Sequence, residues 1–127
     1  RYHSDHDALT NCLNRRTFNE ALAALQTRGG PASVLLIDID HFKAINDGHG
    51  HLIGDRAITE AAACLGRGLD AGTPLYRYGG EEFAVLLWRR PLAEAQALAE
   101  ALRARVAERA LADLPMTVSI GVAEWSG

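Results

Sequence analysis

The sequence predicts one α/β domain, an α+β sandwich in which helices flank a mostly antiparallel sheet. A length of 127 residues with a hydrophobic fraction of 48% suits a single domain with a real core. Apolar residues recur at helical spacing in some stretches and form short runs or alternate in others. Two of these short runs flank Gly79 and Gly80, which predicts a hairpin and therefore antiparallel strand pairing.

The predicted elements follow one another in the order α-β-α-α-β-β-α-β. Asp40 is placed to cap the second helix, and Gly48, His49 and Gly50 are placed to end it. The apolar run at 34–37 is too short for a typical helix and is typical of a central strand. Helices are predicted over 14–26, 40–46, about 53–69 and 91–110, and strands over 33–39, 75–78, 82–88 and 116–123.

Composition and charge exclude or disfavour several classes of protein. The net charge is −3 and no basic stripe is present, which disfavours a nucleic-acid-binding protein. Cys12 and Cys64 form no Cys-x-x-Cys pair, which excludes a zinc ribbon, and we expect two reduced thiols. No apolar run approaches the roughly 18 residues of a membrane span. We therefore expect a cytoplasmic protein, with Cys64, Trp88 and Trp125 in structural roles.

Acidic residues stand at the end of the predicted central strand. Asp38 follows four apolar residues, and Asp40 shares its face because strand side chains alternate. A lone carboxylate is expensive to bury there, and a divalent cation that prefers hard oxygen ligands, such as Mg²⁺, would offset that cost. The alternative is that these acids cap a helix in solvent, which for Asp40 is the favoured interpretation on the residues alone.

The predicted hairpin turn carries Glu81 and Glu82 directly after its two glycines. Glycines let the backbone turn and let a bulky ligand approach, while two adjacent acids repel each other unless a cation lies between them. The alternative is a simple solvated turn, although such turns prefer Asn-Gly or Asp-Gly. If the hairpin lies beside the central strand, Asp38 and the two glutamates converge at one edge of the sheet. That arrangement predicts a metal-dependent phosphoryl-transfer site.

Four motifs in the same order resemble the GGDEF family of diguanylate cyclase catalytic domains, from about Asp7 to Ala123. Residues 77–83 read RYGGEEF, which is the Gly-Gly-Glu-Glu-Phe form of the family signature. Residues 38–55 are similar to the second signature, residues 7–16 to the opening, and residues 118–123 to the late strand. The resemblance implies a fold like the palm of nucleotide cyclases and polymerases. It also implies a nucleotidyltransferase of bacterial signalling, a homodimer with one GTP per domain that produces cyclic di-GMP and pyrophosphate.

The resemblance further implies a catalytic and metal-binding set. Carried over residue by residue, Asp38 and Glu81 ligate Mg²⁺ or Mn²⁺, Glu82 assists as a ligand, and the Ile39 carbonyl completes the site. Glu81 is the acid expected to help deprotonate the ribose 3′-hydroxyl. That hydroxyl then attacks the α-phosphate of the GTP held by the partner domain.

Phosphate binding is implied for residues on both sides of the same edge. Lys43 and the backbone amides around Phe42 are expected to hold the β- and γ-phosphates. Gly79 and Gly80 are expected to let the nucleotide lie against the hairpin.

Guanine selection is implied for Asn46 and Asp55. A carboxylate accepts from guanine N1–H and the exocyclic amine, whereas adenine leaves that carboxylate unpaired. On the residues alone, a helix C-cap at Asn46 and an N-cap at Asp55 are favoured instead.

His49 and His51 have no third ligand nearby, so His51 is expected to pack or hydrogen-bond around the turn.

The chain departs from the family in two places. The family has a further helix after the strand ending near Ala123, which usually supplies a Lys and an Arg to the phosphates. This sequence stops at Gly127, so we expect a domain truncated at its C-terminus. Many relatives also carry an inhibitory Arg-x-x-Asp motif; here Arg67 and Asp70 form one, but eight residues separate it from Gly79. We expect no working inhibitory site, and we expect cyclic di-GMP to bind at the active half-site.

Residues 1–6 are interpreted as the end of a linker helix from an upstream sensor or receiver domain, and residues 7–127 as the catalytic domain.

Two other functions stay open: a catalytically inactive module that binds GTP or cyclic di-GMP and signals through contacts, and a nucleic-acid polymerase palm. The intact acidic signature disfavours the first, and a short chain without basic surface disfavours the second. Resolving the products formed from GTP and magnesium would separate all three.

Overall fold

A computed structural model, which describes residues 4–125, alternates strands and helices much as the sequence predicts. The helices are α1 (Arg15–Arg28), α2 (Phe42–His49), α3 (His51–Arg67) and α4 (Leu92–Ala107); the strands are β1 (Ala32–Ile39), β2 (Tyr76–Arg77), β3 (Glu82–Trp88), β4 (Ala110–Leu111), β5 (Leu114–Pro115) and β6 (Val118–Trp125). One sheet has four strands in the order β2-β3-β1-β6, and all its pairs are antiparallel. The predicted α+β sandwich is confirmed. The β4–β5 hairpin was not predicted, because two-residue strands leave no alternation to detect.

The two faces of the sheet bury different residues because side chains alternate along β1. Leu35, Ile37 and Ile39 are at most 2% exposed and belong to the main core, to which α2, α3 and α4 contribute. On the opposite face, Phe18 of α1 packs against Tyr76 of β2. The sheet therefore lies between α1 and the other three helices.

Gly50 separates α2 from α3, as the glycines of this segment predict. Its φ of 87° lies in the region that favours glycine, and its N–H donates to the Asn46 carbonyl at 2.8 Å. Because α3 begins at His51, Asp55 lies inside that helix and is not its N-cap. Gly50, and not Asn46, is the C-cap of α2. The helix-cap interpretations of Asn46 and Asp55 are therefore wrong.

The N-terminal segment approaches the sheet without helical structure in residues 4–6. These residues form a bend and an antiparallel bridge from His6 to Leu13. The linker helix predicted over residues 1–6 does not extend over this part, and residues 1–3 lie outside the described residues.

Cys64 and Trp88 lie in structural positions, as predicted for them, and Cys12 was expected only to be a reduced thiol. Cys12 is half-buried, Cys64 is buried, and both are free thiols. The Trp88 indole Nε1 donates to the Gly29 carbonyl at 3.1 Å, and the Arg28 guanidinium stacks on the indole, 3.3 Å from the ring centroid. Within residues 4–125, none of the helices combines the length and the apolar character needed to cross a membrane.

Candidate active site

The register of the sheet places acidic residues at one end of β1. Asp38 stands opposite Glu82 of β3 and Ser119 of β6. The Ile39 N–H donates to the Glu81 carbonyl at 3.2 Å, which ties the turn before β3 to the end of β1. Directly paired residues have Cβ atoms about 5 Å apart, so one ligand can reach both Asp38 and Glu82. The sequence left the adjacency of these two strands as a condition, and the register shows that the condition is met. We call Asp38, Glu81 and Glu82 the acidic edge.

Asp38 is exposed, contrary to the argument that burial makes it costly. It shares a face of β1 with Leu36, which is 48% exposed. The helix on this face, α1, packs on Tyr76 of β2 and leaves Leu36 and Asp38 open. A cation is therefore not needed to offset burial of this carboxylate.

The acidic edge is not a ready-made metal cage. No three His, Cys, Asp or Glu side chains within residues 4–125 lie close enough together to hold a metal ion. Mg²⁺, however, is usually bound by one or two carboxylates, while substrate phosphates and waters complete its octahedron. Two exposed carboxylates on paired strands, with backbone carbonyls beside them, fit that kind of site. They do not fit a transition-metal site of imidazole and thiolate ligands.

Every backbone carbonyl oxygen of the turn 79–82 accepts a hydrogen bond. The donors are the Arg77 guanidinium (to Gly79 and Gly80), the Ile39 N–H (to Glu81), and the N–H groups of Tyr78 and Gly79 (to Glu82). The carboxylates of Glu81 and Glu82, in contrast, accept no hydrogen bond from another residue that the structure describes. The turn thus has a fixed backbone and carboxylates that remain available to a ligand.

The two glycines of this turn differ in what surrounds them. A Cβ at Gly79 would lie 2.2 Å from Oε1 of Glu82, so Gly79 makes room for that carboxylate. A Cβ at Gly80 would meet nothing within 4 Å. Open space beside Gly80 is compatible with close approach of a nucleotide, which stays a prediction.

Asp40 does not cap α2. His41 occupies the N-cap position with a φ of 59° and makes no side-chain cap. The Asp40 carboxylate instead accepts hydrogen bonds from the hydroxyls of Ser119 and Thr117, each at 2.6 Å. These bonds, that from Ser119 above all, lower the pKa of Asp40 below its ordinary value. The helix-cap interpretation is wrong, because Asp40 links the start of α2 to β6.

A second group of candidate residues lies where α2 packs on α3, and we call Phe42, Asn46, Gly54 and Asp55 the α2–α3 corner. A Cβ at Gly54 would lie 1.8 Å from Oδ1 of Asn46 and 3.2 Å from the Phe42 ring. Oδ1 of Asn46 is buried and accepts no hydrogen bond from the described residues. Most buried polar atoms have a protein or water partner, so an atom of this kind calls for a ligand or a water.

Asp55 follows Gly54 on α3 and is exposed. Its carboxylate accepts no hydrogen bond and forms no ion pair within residues 4–125. The corner therefore holds two acceptors without a donor among the described residues, one buried and one exposed.

The first turn of α2 begins at Phe42, shortly after Asp38 in the chain. Its backbone N–H groups have no intrahelical partner and carry partial positive charge. Lys43 lies in this turn with a side chain 90% exposed, paired to Asp47 at 3.1 Å. Exposed pairs of this kind contribute little stability, so Lys43 can leave Asp47 for a phosphate.

Two residues beside the acidic edge were not singled out from the sequence. Tyr78 and Leu36 line a cavity of about 90 Å³ together with Asp38 and Glu82. Tyr78 is held from behind by the Arg15 guanidinium, 4.4 Å from the ring centroid. The position of Tyr78 immediately before the two glycines is the one signal in the sequence that could have identified this residue.

Two peripheral predictions had different outcomes. The His51 side chain is exposed and makes no hydrogen bond to another described residue, so the prediction that it packs or hydrogen-bonds around the turn is wrong. Asp70 accepts a hydrogen bond from Thr73 and pairs with Arg90 at 2.8 Å, while Arg67 is exposed at the end of α3. Asp70 is thus engaged by residues other than Arg67, and the lack of a working inhibitory site stays a prediction.

Comparison with known proteins assigns the family. The sequence model of the family "Diguanylate cyclase, GGDEF domain" matches residues 4–127. The diguanylate cyclase DgcM of Escherichia coli K12 is 44% identical over 127 residues, which cover 96% of this chain and 31% of DgcM. The chain therefore belongs to the diguanylate cyclase GGDEF domain family. It spans about a third of the length of the curated relatives that it matches.

Solved structures of the same family share the fold. The GGDEF domain of DgcB from Caulobacter crescentus, in complex with c-di-GMP, has a TM-score of 0.87 and 34% identity, over 98% of this chain and 77% of that one. The active GGEEF domain of a diguanylate cyclase from Vibrio cholerae has a TM-score of 0.76 and 33% identity, over 88% and 76%. The palm-like fold implied by the sequence motifs is confirmed.

Proposed function

We propose that this domain is a diguanylate cyclase that works as one half of a homodimer, each domain holding one GTP. The two GTP molecules are condensed into cyclic di-GMP with release of pyrophosphate. The observation that carries the proposal is the β1–β3 register, which sets Asp38 opposite Glu82 beside an anchored Gly-Gly-Glu-Glu turn. The Vibrio relative, described as an active GGEEF domain, supports catalytic competence of this form of the signature.

The proposed metal ligands are Asp38, Glu81 and Glu82, with the Ile39 carbonyl as a further oxygen. GGDEF diguanylate cyclases are metal-dependent as a family, and we propose Mg²⁺ or Mn²⁺ here. Bound at this edge, the ion would neutralise triphosphate charge as the α-phosphate is attacked. The chain itself contributes carboxylates on a fixed turn. Glu81, which is half-buried, is the proposed acceptor of the proton of the attacking 3′-hydroxyl.

The first turn of α2 is the proposed binding site for the β- and γ-phosphates. Its free N–H groups, beginning at Phe42, and the mobile ammonium of Lys43 supply positive charge next to the acidic edge. Gly79 and Gly80 are the proposed nucleotide contacts on the hairpin, and the open space beside Gly80 supports this role.

Asn46 and Asp55 are the proposed guanine contacts. The buried Oδ1 of Asn46 lacks a donor, and guanine supplies donors at N1–H and at the exocyclic amine. Adenine has an acceptor at N1, so it would leave the Asp55 carboxylate unpaired. The same α2–α3 corner would bind one base of cyclic di-GMP, which makes product binding at the active half-site part of the proposal.

The proposed setting is the cytoplasm, where GTP is available, with a sensor or receiver domain upstream in the same chain.

The decisive experiment incubates the protein with GTP and magnesium and resolves the products. We expect cyclic di-GMP and pyrophosphate, at a specific rate that rises with protein concentration because two loaded domains must meet. Fusion to a dimeric coiled coil should raise the rate at low concentration.

Other outcomes of that experiment would contradict the proposal. GTP binding without product, even in the fused dimer, would indicate an inactive binding module. Extension of a nucleic-acid primer would indicate a polymerase. A specific rate that is independent of both concentration and fusion would contradict the two-domain mechanism.

A further inference from the structure

Arg77 lies just before the catalytic turn, and its guanidinium donates in two directions. Nε and Nη2 donate to the carbonyls of Gly79 and Gly80 at 3.3 and 2.9 Å. Nη1 donates to both carboxylate oxygens of Asp7 at 3.0 Å each. The side chains of Arg77 and Asp7 are only 18% and 21% exposed. A planar guanidinium held by a carboxylate on one side has little freedom to rotate away from the carbonyls on the other.

Asp7 is itself held in place by a closed loop. Its Oδ2 accepts from the N–H and the hydroxyl of Thr10, both at 2.8 Å. Its backbone N–H donates to the Cys12 carbonyl at 2.6 Å. Burial raises the pKa of the Asp7 carboxyl, but the hydrogen bonds from Thr10 and Arg77 more than offset this, so its pKa lies below the ordinary value. The group that holds Arg77 is therefore an ordered, ionised carboxylate at neutral pH.

The same N-terminal segment also contacts Arg77 through the backbone. The Arg77 N–H donates to the Leu13 carbonyl at 2.8 Å, and Leu13 forms a parallel bridge with Tyr76. The segment from Asp7 to Leu13 thus meets the strand leading into the catalytic turn at two points.

From these contacts we infer that Asp7 and Arg77 are positioning residues for catalysis. The pair fixes the Gly79 and Gly80 carbonyls, and through them the direction in which Glu81 and Glu82 leave the turn. Neither residue belongs to the metal-binding, phosphate-binding or guanine-binding set proposed above. The inference rests on the proposed cyclase function, and it makes the loop 7–12 the connection through which a displacement of the N-terminal segment would change the catalytic rate.

The test compares Asp7→Asn with a matched control, Glu60→Gln. Glu60 also pairs with an arginine, Arg56 at 2.6 Å, and also accepts a backbone N–H, that of Ala112 at 2.8 Å, but it lies on α3 away from the turn. We expect Asp7→Asn to lower kcat about tenfold or more, as for loss of a hydrogen bond to a charged group, with KM for GTP changed less than about threefold. Glu60→Gln should keep kcat within about twofold of wild type. A kcat for Asp7→Asn within about twofold of wild type would overturn the inference.

Arg77→Lys separates positioning from simple ion pairing. Lysine keeps the charge opposite Asp7, but a single ammonium cannot reproduce the fork that spans the carboxylate and both carbonyls. We expect this variant to lose kcat about as much as Asp7→Asn does. Full activity of Arg77→Lys would show that the charge pair alone suffices and would overturn the inference.

Hydrogen exchange gives a readout that needs no turnover. The Tyr78 and Gly79 amides, which donate to the Glu82 carbonyl, should exchange about tenfold faster in Asp7→Asn and unchanged in Glu60→Gln; the Ala112 amide should show the reverse. Unchanged exchange at the turn in Asp7→Asn overturns the inference even in an active enzyme. If the wild-type protein makes no cyclic di-GMP but Asp7→Asn still exchanges faster at the turn, the structural coupling is supported and the proposed function is contradicted.

Discussion

The acidic edge and the α2–α3 corner are held in place by different forces. At the acidic edge, strand register places Asp38, and hydrogen bonds from Arg77 and Ile39 fix the turn that carries the glutamates. At the corner no ion pair forms among residues 4–125, and the position of Asn46 depends on the missing side chain of Gly54. A region held by directional bonds and charge should respond to changes of charge, whereas a region held by close packing should respond to changes of volume.

Removal of charge at the acidic edge should have the largest effect. We expect Asp38→Asn or Glu82→Gln to lower the rate of cyclic di-GMP formation by about 10²–10³, as for other losses of one electrostatic contributor. Because both side chains are exposed, the unfolding midpoint should hardly change. The control is Glu124→Gln, at the far end of β6, which should remain active. Retention of more than about a tenth of the rate in either edge variant would contradict the proposed site.

A change of volume at the corner should come next. Gly54→Ala adds a Cβ that would lie 1.8 Å from Oδ1 of Asn46, so the amide must move. We expect unfolding free energy to fall by about 1–3 kcal/mol and GTP to bind several-fold more weakly. The control is Gly66→Ala on the same helix, where a Cβ meets nothing within 4 Å and stability should rise by about 0.5–1 kcal/mol. Equal stability of the two variants in denaturant titrations would mean that the corner is not packed as described.

A change of charge at the corner should affect base selection and not stability. We expect Asp55→Ala to weaken GTP binding about tenfold or more and to leave ATP binding nearly unchanged, because only guanine donates to that carboxylate. Calorimetric titration of both nucleotides into wild type and variant measures the difference. Equal losses for GTP and ATP would show that Asp55 does not read the base.

Low pH should weaken the Asp7–Arg77 pair that holds the turn of the acidic edge, and it should not affect the α2–α3 corner. The folded-state pKa of Asp7 lies below its unfolded value, so its contribution to stability is present above an unfolded pKa of about 4 and is lost as the pH falls through the lower, folded pKa. At pH 7 we expect Asp7→Asn to be less stable than wild type by about 2 kcal/mol. That difference should shrink below about pH 4, whereas the deficit of Gly54→Ala should not depend on pH. If Asp7→Asn were less stable than wild type by the same free energy from neutral pH to about pH 3, the lowered folded-state pKa of Asp7 would be contradicted.

Local patterns in the sequence were enough to predict the elements that carry the acidic edge. Alternation and short apolar runs identified β1 and β3, and Gly79 with Gly80 identified the β2–β3 hairpin. The β1–β3 pairing that sets Asp38 opposite Glu82 was only a condition at the level of the sequence. These features depend on neighbours in the chain, which is why a periodicity of two and a turn composition suffice to detect them. The Gly50 break between α2 and α3 was predictable for the same reason.

Only the tertiary structure decided what surrounds these residues. The partner of Asp40 is Thr117, 77 positions away, and the partner of Arg77 is Asp7, 70 positions away. Leu36 shows that a strand in the middle of the sheet can leave one face open, which is why Asp38 is exposed where an apolar run suggested burial. Such contacts depend on which elements the fold brings together, and periodicity along the chain carries no record of that choice.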